Sequence, residues 1–320
     1  MKALKIIGII LGMVLLVIAA FAMYINVRGI PHYEAEDPGV TIAPDSTMAA
    51  NGKRLVSMLC KDCHYNAATD KLTGRNMTDA AVAQFGTIYS QNITQDKDYG
   101  IGNWTDGQLL WLLRTGILRN GRYAPPYMPK LPNMSDYDVN SIIVYLRSND
   151  HWVTPAAVAD TQTVPSFLTK FLSAVVFKPL PYPTAPVAGP DTTNPVQLGK
   201  YIVTGMLDCY PCHSADFKTM NVAEPEKSEG FLGGGNLVGV NLDNKEMLSA
   251  NITPDKETGI GSWTEEQFVQ CIRYGQKPNG TQLSYPMMPL PQLTEKEAKA
   301  IYAYLMQVPP IKNKVVNPVP

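Results

Sequence analysis

Asn92–Gln108 (NITQDKDYGIGNWTDGQ) and Asn251–Gln267 (NITPDKETGIGSWTEEQ) agree at 11 of 17 positions, at an offset of 159 residues. The same offset pairs Arg114-Thr-Gly116 with Arg273-Tyr-Gly275 and Tyr145-Leu146 with Tyr304-Leu305. Agreement held in one register over this length means that a segment has been duplicated. Upstream, Cys60-Lys-Asp-Cys63-His64 and Cys209-Tyr-Pro-Cys212-His213 lie 149 residues apart, so the second copy carries ten extra residues. Composition places these around Glu229–Asn236 (EGFLGGGN), in a surface loop.

Each copy reads as mainly α. A short helical stretch (52–59; 199–207) leads into the Cys-x-x-Cys-His pattern. A second helix follows a Trp-Thr pair (105–115; 264–274), and a third closes the copy (135–148; 294–307). Thr105 with Asp106, Thr264 with Glu265 and Glu266, and Thr294 with Glu295 and Glu297 set a hydroxyl and carboxylates at helix starts. The 320 residues suffice for two domains, and 26 Pro, 24 Gly and only 17% charged residues point to loops around modest cores. A net charge of -1 without runs of like charge argues against nucleic acid as a partner.

Lys2 and Lys5 precede an apolar run, Ile6 to Tyr24, of 19 residues without a charge. At about 1.5 Å per helical residue this crosses a hydrocarbon core of roughly 30 Å once. The flanking charges, two lysines before and Arg28 after, keep the amino terminus cytoplasmic and the rest outside. A cleaved signal peptide is the alternative, since Ala20-Phe21-Ala22 matches a small-residue cleavage pattern. Between the copies, a segment rich in Pro and small residues contains Phe167–Phe177 (FLTKFLSAVVF), too short to span. The favoured reading is a helix buried between the two domains, with an interfacial or partner-binding segment as the other. The expected organisation is an amino-terminal anchor (1–28), a linker (29–45), domain 1 (46–150), a Pro-rich linker with a short apolar helix (151–195) and domain 2 (196–320).

Cys-x-x-Cys-His marks c-type haem attachment: two thiols add to the haem vinyl groups and the adjacent imidazole ligates iron. Cys60, Cys63, Cys209 and Cys212 are therefore candidate attachment points for two covalent haems c, with His64 and His213 on the iron. A zinc site or a disulfide framework leaves the histidines unexplained. The loop between the second and third helices offers a sixth ligand, reading Pro126-Tyr-Met128-Pro129 in one copy and Pro286-Met-Met288-Pro289 in the other. A thioether favours ferrous iron, and a filled sixth site suits electron transfer. Met128 and Met288 are the expected ligands, with Met287 and Met134 as substitutes. Arg114 and Arg273 are candidates for holding haem propionates, as are Trp104 and Trp263, for which simple packing is the favoured reading. Cys271, matching Leu112, is expected in the core.

With these elements in this order, residues 46 to 320 resemble the cytochrome c subunits of bacterial membrane-bound alcohol, aldehyde and gluconate dehydrogenases. The segments Gly199-Lys-Tyr-Ile-Val and Phe231-Leu-Gly-Gly-Gly look like the second domain of that family. The resemblance implies class I cytochrome folds, His and Met on iron, and electrons passing from a periplasmic oxidation toward quinone or a terminal oxidase. Two motifs stand here against the three haem domains usual in that family, and the hydrophobic segment is amino-terminal. The expectation is a periplasmic dihaem electron carrier on the inner membrane, not an enzyme. Its partners would be a dehydrogenase, a quinol-oxidising complex or a terminal oxidase. A dihaem peroxidase, which needs an open distal site, and a fixed subunit of a larger respiratory complex are the competing readings.

Overall fold

A computed structural model describes residues 2–78, 82–240 and 245–316. Helix α1 (Lys2–Arg28) contains the apolar run, and all its large apolar side chains except Ile25 are exposed. It is long and apolar enough to cross a membrane.

The first copy consists of α2 (Met48–Leu59), α3 (Lys61–His64), α4 (Asp106–Thr115) and α5 (Asp136–Leu146). After the intervening α6 (Phe167–Val175), the second copy repeats the order with α7 (Pro195–Tyr201), α8 (Tyr210–His213), α9 (Glu265–Tyr274) and α10 (Glu295–Leu305). Helices dominate because the expected caps form. Thr105, Thr264 and Thr294 each close a capping box with Gln108, Gln267 and Glu297. The first helix of each copy starts four residues before its expected boundary, at Met48 and Pro195. Asn194 caps α7 by accepting from Val196 and Gln197 N–H, with Pro195 at the first position.

One contact fixes each copy. Gly52 of α2 lies so close to α5 that an added Cβ would sit 1.9 Å from the Ser141 carbonyl oxygen and 2.7 Å from Tyr145 Cβ. Gly199 of α7 meets α10 in the same way, at 1.9 Å from Ala300 O and 2.8 Å from Tyr304 Cβ. Glycine permits this approach because it has no Cβ. Leu55, Val56, Ile142, Ile143 and Leu146 pack around the first crossing, and Leu198, Ile202, Ile301 and Leu305 around the second.

The copies also bind each other. Arg54 Nη1 stands 2.9 Å from Glu297 Oε2, and the Tyr201 hydroxyl donates to Asp138 while accepting from Ser135 N–H, with Ser135 Oγ 3.1 Å away. The extra residues of the second copy take part. Gly74 N–H and Gly234 N–H donate to the His64 and His213 carbonyls, so the insertion lies between His213 and Gly234, mostly ahead of the stretch composition had indicated. It reaches the first copy where Asn133 Nδ2 donates to Val222 O at 2.9 Å. Short antiparallel pairs, β1 (Gly86–Thr87) with β2 (Val164–Pro165) and β3 (Leu237–Val240) with β4 (Glu246–Leu248), complete the frame.

The segment expected as a linker after α1 is a strap on the first copy. Tyr33 N–H donates to Gly121 O and Tyr123 N–H to Pro31 O, and Thr105 Oγ1 donates to Asp37 at 2.6 Å. Helix α6 does not lie buried between the copies; it packs on α1 and on the turn Ala83–Phe85. Replacing Gly52 or Gly199 by Ala forces the crossing apart. Each change is expected to cost about 1–3 kcal/mol, read as a lowered denaturation midpoint of the holoprotein. An unchanged midpoint would refute the close crossing.

Candidate functional site

The two Cys-x-x-Cys-His segments are single helical turns. Cys60 caps α3, and its carbonyl accepts from Cys63 and His64 N–H at 3.2 and 2.9 Å; Cys209 holds His213 N–H at 3.0 Å. Such a turn places the first thiol and the imidazole four residues apart on one face. None of the four motif cysteines is in a disulfide. Burial pushes Cys60 and Cys209 up to about 12 and raises Cys63 and Cys212, so all stand as neutral thiols. A redox dithiol needs the opposite, a stabilised thiolate.

The NIT element explains the histidines. Asn92 Oδ1 accepts from Thr94 N–H and Oγ1 at 2.9 and 2.7 Å, and Asn251 Oδ1 does the same with Thr253 at 3.0 and 2.7 Å. The Asn amides tie the turn to the chain beyond the last helix, at Ala156 O and Ile311 O. This fixes the preceding residue, whose carbonyl meets the imidazole: His64 Nδ1 to Gln91 O at 2.7 Å and His213 Nδ1 to Ala250 O at 2.8 Å. Burial lowers both imidazole pKa values, favouring the neutral form, with Nδ1–H donating and the Nε2 lone pair left free. Sequence reasoning missed Gln91 and Ala250; their only sequence signal was lying directly before the repeated Asn.

Against this geometry stand the known proteins. The cytochrome c subunit of the quinone-dependent alcohol dehydrogenase of Komagataeibacter europaeus is 28% identical over 239 residues, covering 71% of this chain and 49% of its own. The gluconate 2-dehydrogenase cytochrome c subunit of Pantoea cypripedii is 28% identical over 231 residues, covering 69% and 51%. A diheme cytochrome c-type protein of Cereibacter sphaeroides is 26% identical over 266 residues, covering 79% and 83%. The chain resembles the cytochrome c subunits of bacterial dehydrogenases. It spans about half the length of the dehydrogenase subunits it matches. No family model matches the chain.

Cytochrome c relatives imply covalently bound haem c, and the residues present fit that group. Each site of this cytochrome-like chain pairs two thiols outside any disulfide with an imidazole whose Nδ1 is already committed. The Arg273 Nε is buried without a protein partner, a donor free for an anionic group. Arg114 differs: its guanidinium is buried, donates to Leu131, Pro132 and Met134 carbonyls and pairs with Asp136 at 2.6 Å. It braces the loop before α5. Trp104 and Trp263 pack half-buried on the two cores, and the Arg119 guanidinium covers the Trp104 ring at 5.2 Å. Cys271 is buried on α9, and Met134 is fully buried. His32 and His151 are exposed, the latter paired with Asp70.

The methionine loops keep the 159-residue register. Ala124 and Leu283 N–H donate to Gly116 and Gly275 O, Met128 and Met287 N–H to Pro125 and Ser284 O, and Leu131 and Leu290 N–H to Leu113 and Ile272 O. Met287 therefore occupies the place of Met128. Met288, chosen through the Met-Pro pair, is one residue out of step and 50% exposed, whereas Met287 packs on the second core. In the first loop Lys130 donates to Ala124 and Pro125 carbonyls, and burial pushes its pKa down to about 7.

Asp208, directly before Cys209, has a positive φ of 48° and a buried Oδ1 without a partner. Burial pushes its carboxyl up to about 8 from 3.8. Because the folded pKa is raised, the stability this group contributes is complete below about pH 4 and is lost as pH rises through about 8. Asp208→Asn should flatten that decline in thermal unfolding midpoints measured across this window. An equal decline in both proteins would contradict the assignment.

Proposed function

We propose that this chain is a membrane-anchored dihaem c-type cytochrome that passes electrons from a dehydrogenase to a downstream acceptor such as a terminal oxidase. On this reading residues 46–150 and 196–320 are tandem class I cytochrome c domains. They stand outside the membrane, in the periplasm, with the amino terminus of α1 cytoplasmic. The observation that carries it is the equivalence of two centres: the same motif, with its imidazole Nδ1 on the carbonyl before the same NIT turn, at 2.7 and 2.8 Å. Haem c held at these centres supplies a one-electron iron couple. Cys60 and Cys63 attach one group, and Cys209 and Cys212 the other.

The remaining residues serve that couple. The Gln91 and Ala250 carbonyls orient the imidazoles and raise their basicity as ligands. Met128 closes the first centre, and the loop register favours Met287 over Met288 for the second. Arg273, with its unpaired Nε, is assigned to a propionate; Arg114, spent on carbonyls, serves chiefly as a loop brace. If Met128 and Met287 hold iron as assigned, neither centre would present a site for a substrate, which favours a carrier over a peroxidase.

Pyridine haemochrome analysis of the purified protein should give two haems per chain, oxidised and reduced by mediators without catalytic peroxide turnover. One haem per chain, or sustained peroxide reduction, overturns the reading. Met128→Ala and Met287→Ala should each remove about half of the sulfur-to-iron charge-transfer absorption of the oxidised protein, while Met288→Ala leaves it intact. Loss in Met288→Ala alone would restore the ligand expected from the Met-Pro pair.

A further inference from the structure

Helix α6 is built inside out for a helix on a globular surface. Its buried residues are the small polar Thr169 and Ser173, and Thr169 Oγ1 donates to Phe85 O at 2.6 Å. Its outward residues are apolar: Phe167 is 46%, Leu168 38%, Val175 48% and Val176 53% exposed. At 100° per residue these four, with half-buried Phe171 and Leu172, form one continuous apolar arc, while Thr169, Lys170 and Ser173 lie on the other side. A surface helix ordinarily turns such an arc to the core.

The position of the arc says what covers it. Phe171 meets Phe21 of α1 edge-on at 6.4 Å between ring centroids and stacks with Phe167 at 6.2 Å. Lys170 Nζ donates to Asn26 Oδ1 at 2.8 Å, just beyond the apolar run of α1. The exposed apolar surface of α6 is thus continuous with that of the span at its outer end, where Tyr24 and Arg28 lie. Aromatic rings and long basic side chains collect at that depth of a bilayer.

We propose that α6 lies in the outer interface of the lipid bilayer with its apolar arc among the acyl chains, a second membrane contact that seats the first copy against the membrane beside α1. This rests on the reading of α1 as a retained anchor. Unlike a span, an amphipathic segment of this length lies in the interface plane. The serine cap, Ser166 Oγ to Gln84 O at 2.8 Å, and the β1–β2 pairing hold it to the first copy, so the seating fixes the orientation of that copy.

The test uses the full holoprotein in phosphatidylcholine–phosphatidylglycerol vesicles, with p-benzoylphenylalanine at Leu168, at Val176 or, as a reference, at Leu16 of α1. Illumination is expected to give phospholipid adducts, identified by mass, at all three positions. Adducts at Leu16 but none to lipid at Leu168 and Val176, or adducts there only to protein, overturn the seating while leaving the anchor standing. Release of the protein by carbonate together with absence of lipid adducts at Leu16 overturns the anchor reading and this proposal with it.

Discussion

Everything in each copy hangs on one contact, the glycine of the first helix pressed against the last helix. Gly52 against Ser141 and Gly199 against Ala300 bring two backbones to a distance no other residue allows. In the first copy the Cys-x-x-Cys-His turn begins where the first helix ends; in the second a π-helical stretch, Ile202–Met206, carries the chain on to Cys209. The last helix in turn leads the chain back to the NIT turn, through Ala156 and Val158 in one copy and Ile311 in the other. The turn then delivers a carbonyl to the imidazole. The placing of each imidazole is therefore tied to a packing contact some distance from it.

The duplicated copies have not stayed identical where they touch. The residues added to the second copy serve the first through Asn133 and hold their own helices through Glu226, which pairs with Lys200 and accepts from the Tyr304 hydroxyl. Arg114 braces the loop before α5 with three carbonyls and Asp136, whereas Arg273, at the same repeat position, stacks on Tyr274 and leaves its Nε unpaired. The two motif sites thus share the imidazole-to-carbonyl contact but differ in the charge placed around it, which on the proposed reading is where reduction potentials would be tuned.

Much of this was legible in the sequence because it is local. Capping threonines, the order of helices and the paired motifs each depend on residues a few positions apart, and they fall where expected. What was missed depends on long-range contacts. The strap over 30–42 relies on hydrogen bonds to Gly121, Tyr123 and Thr105, whose partners nothing in residues 29–45 announces. The placement of α6 was misjudged because an apolar arc is the same in sequence whether it faces a core or lipid. Met288 was chosen by the Met-Pro dipeptide, while the register is kept by the carbonyls of Gly116, Gly275, Leu113 and Ile272. The insertion was misplaced because glycines mark a turn, not the point at which two copies diverge.

The bridge of Arg54 to Glu297 and the Tyr201 hydroxyl among Ser135 and Asp138 hold the two copies against each other. Under the proposed reading, both haems are then carried by one chain whose two copies touch. Transfer between them would then be a unimolecular event, independent of protein concentration. Only the outer two steps, arrival from the donor and departure to the acceptor, remain encounters, and selection on partner affinity can act on each end without disturbing the internal hop.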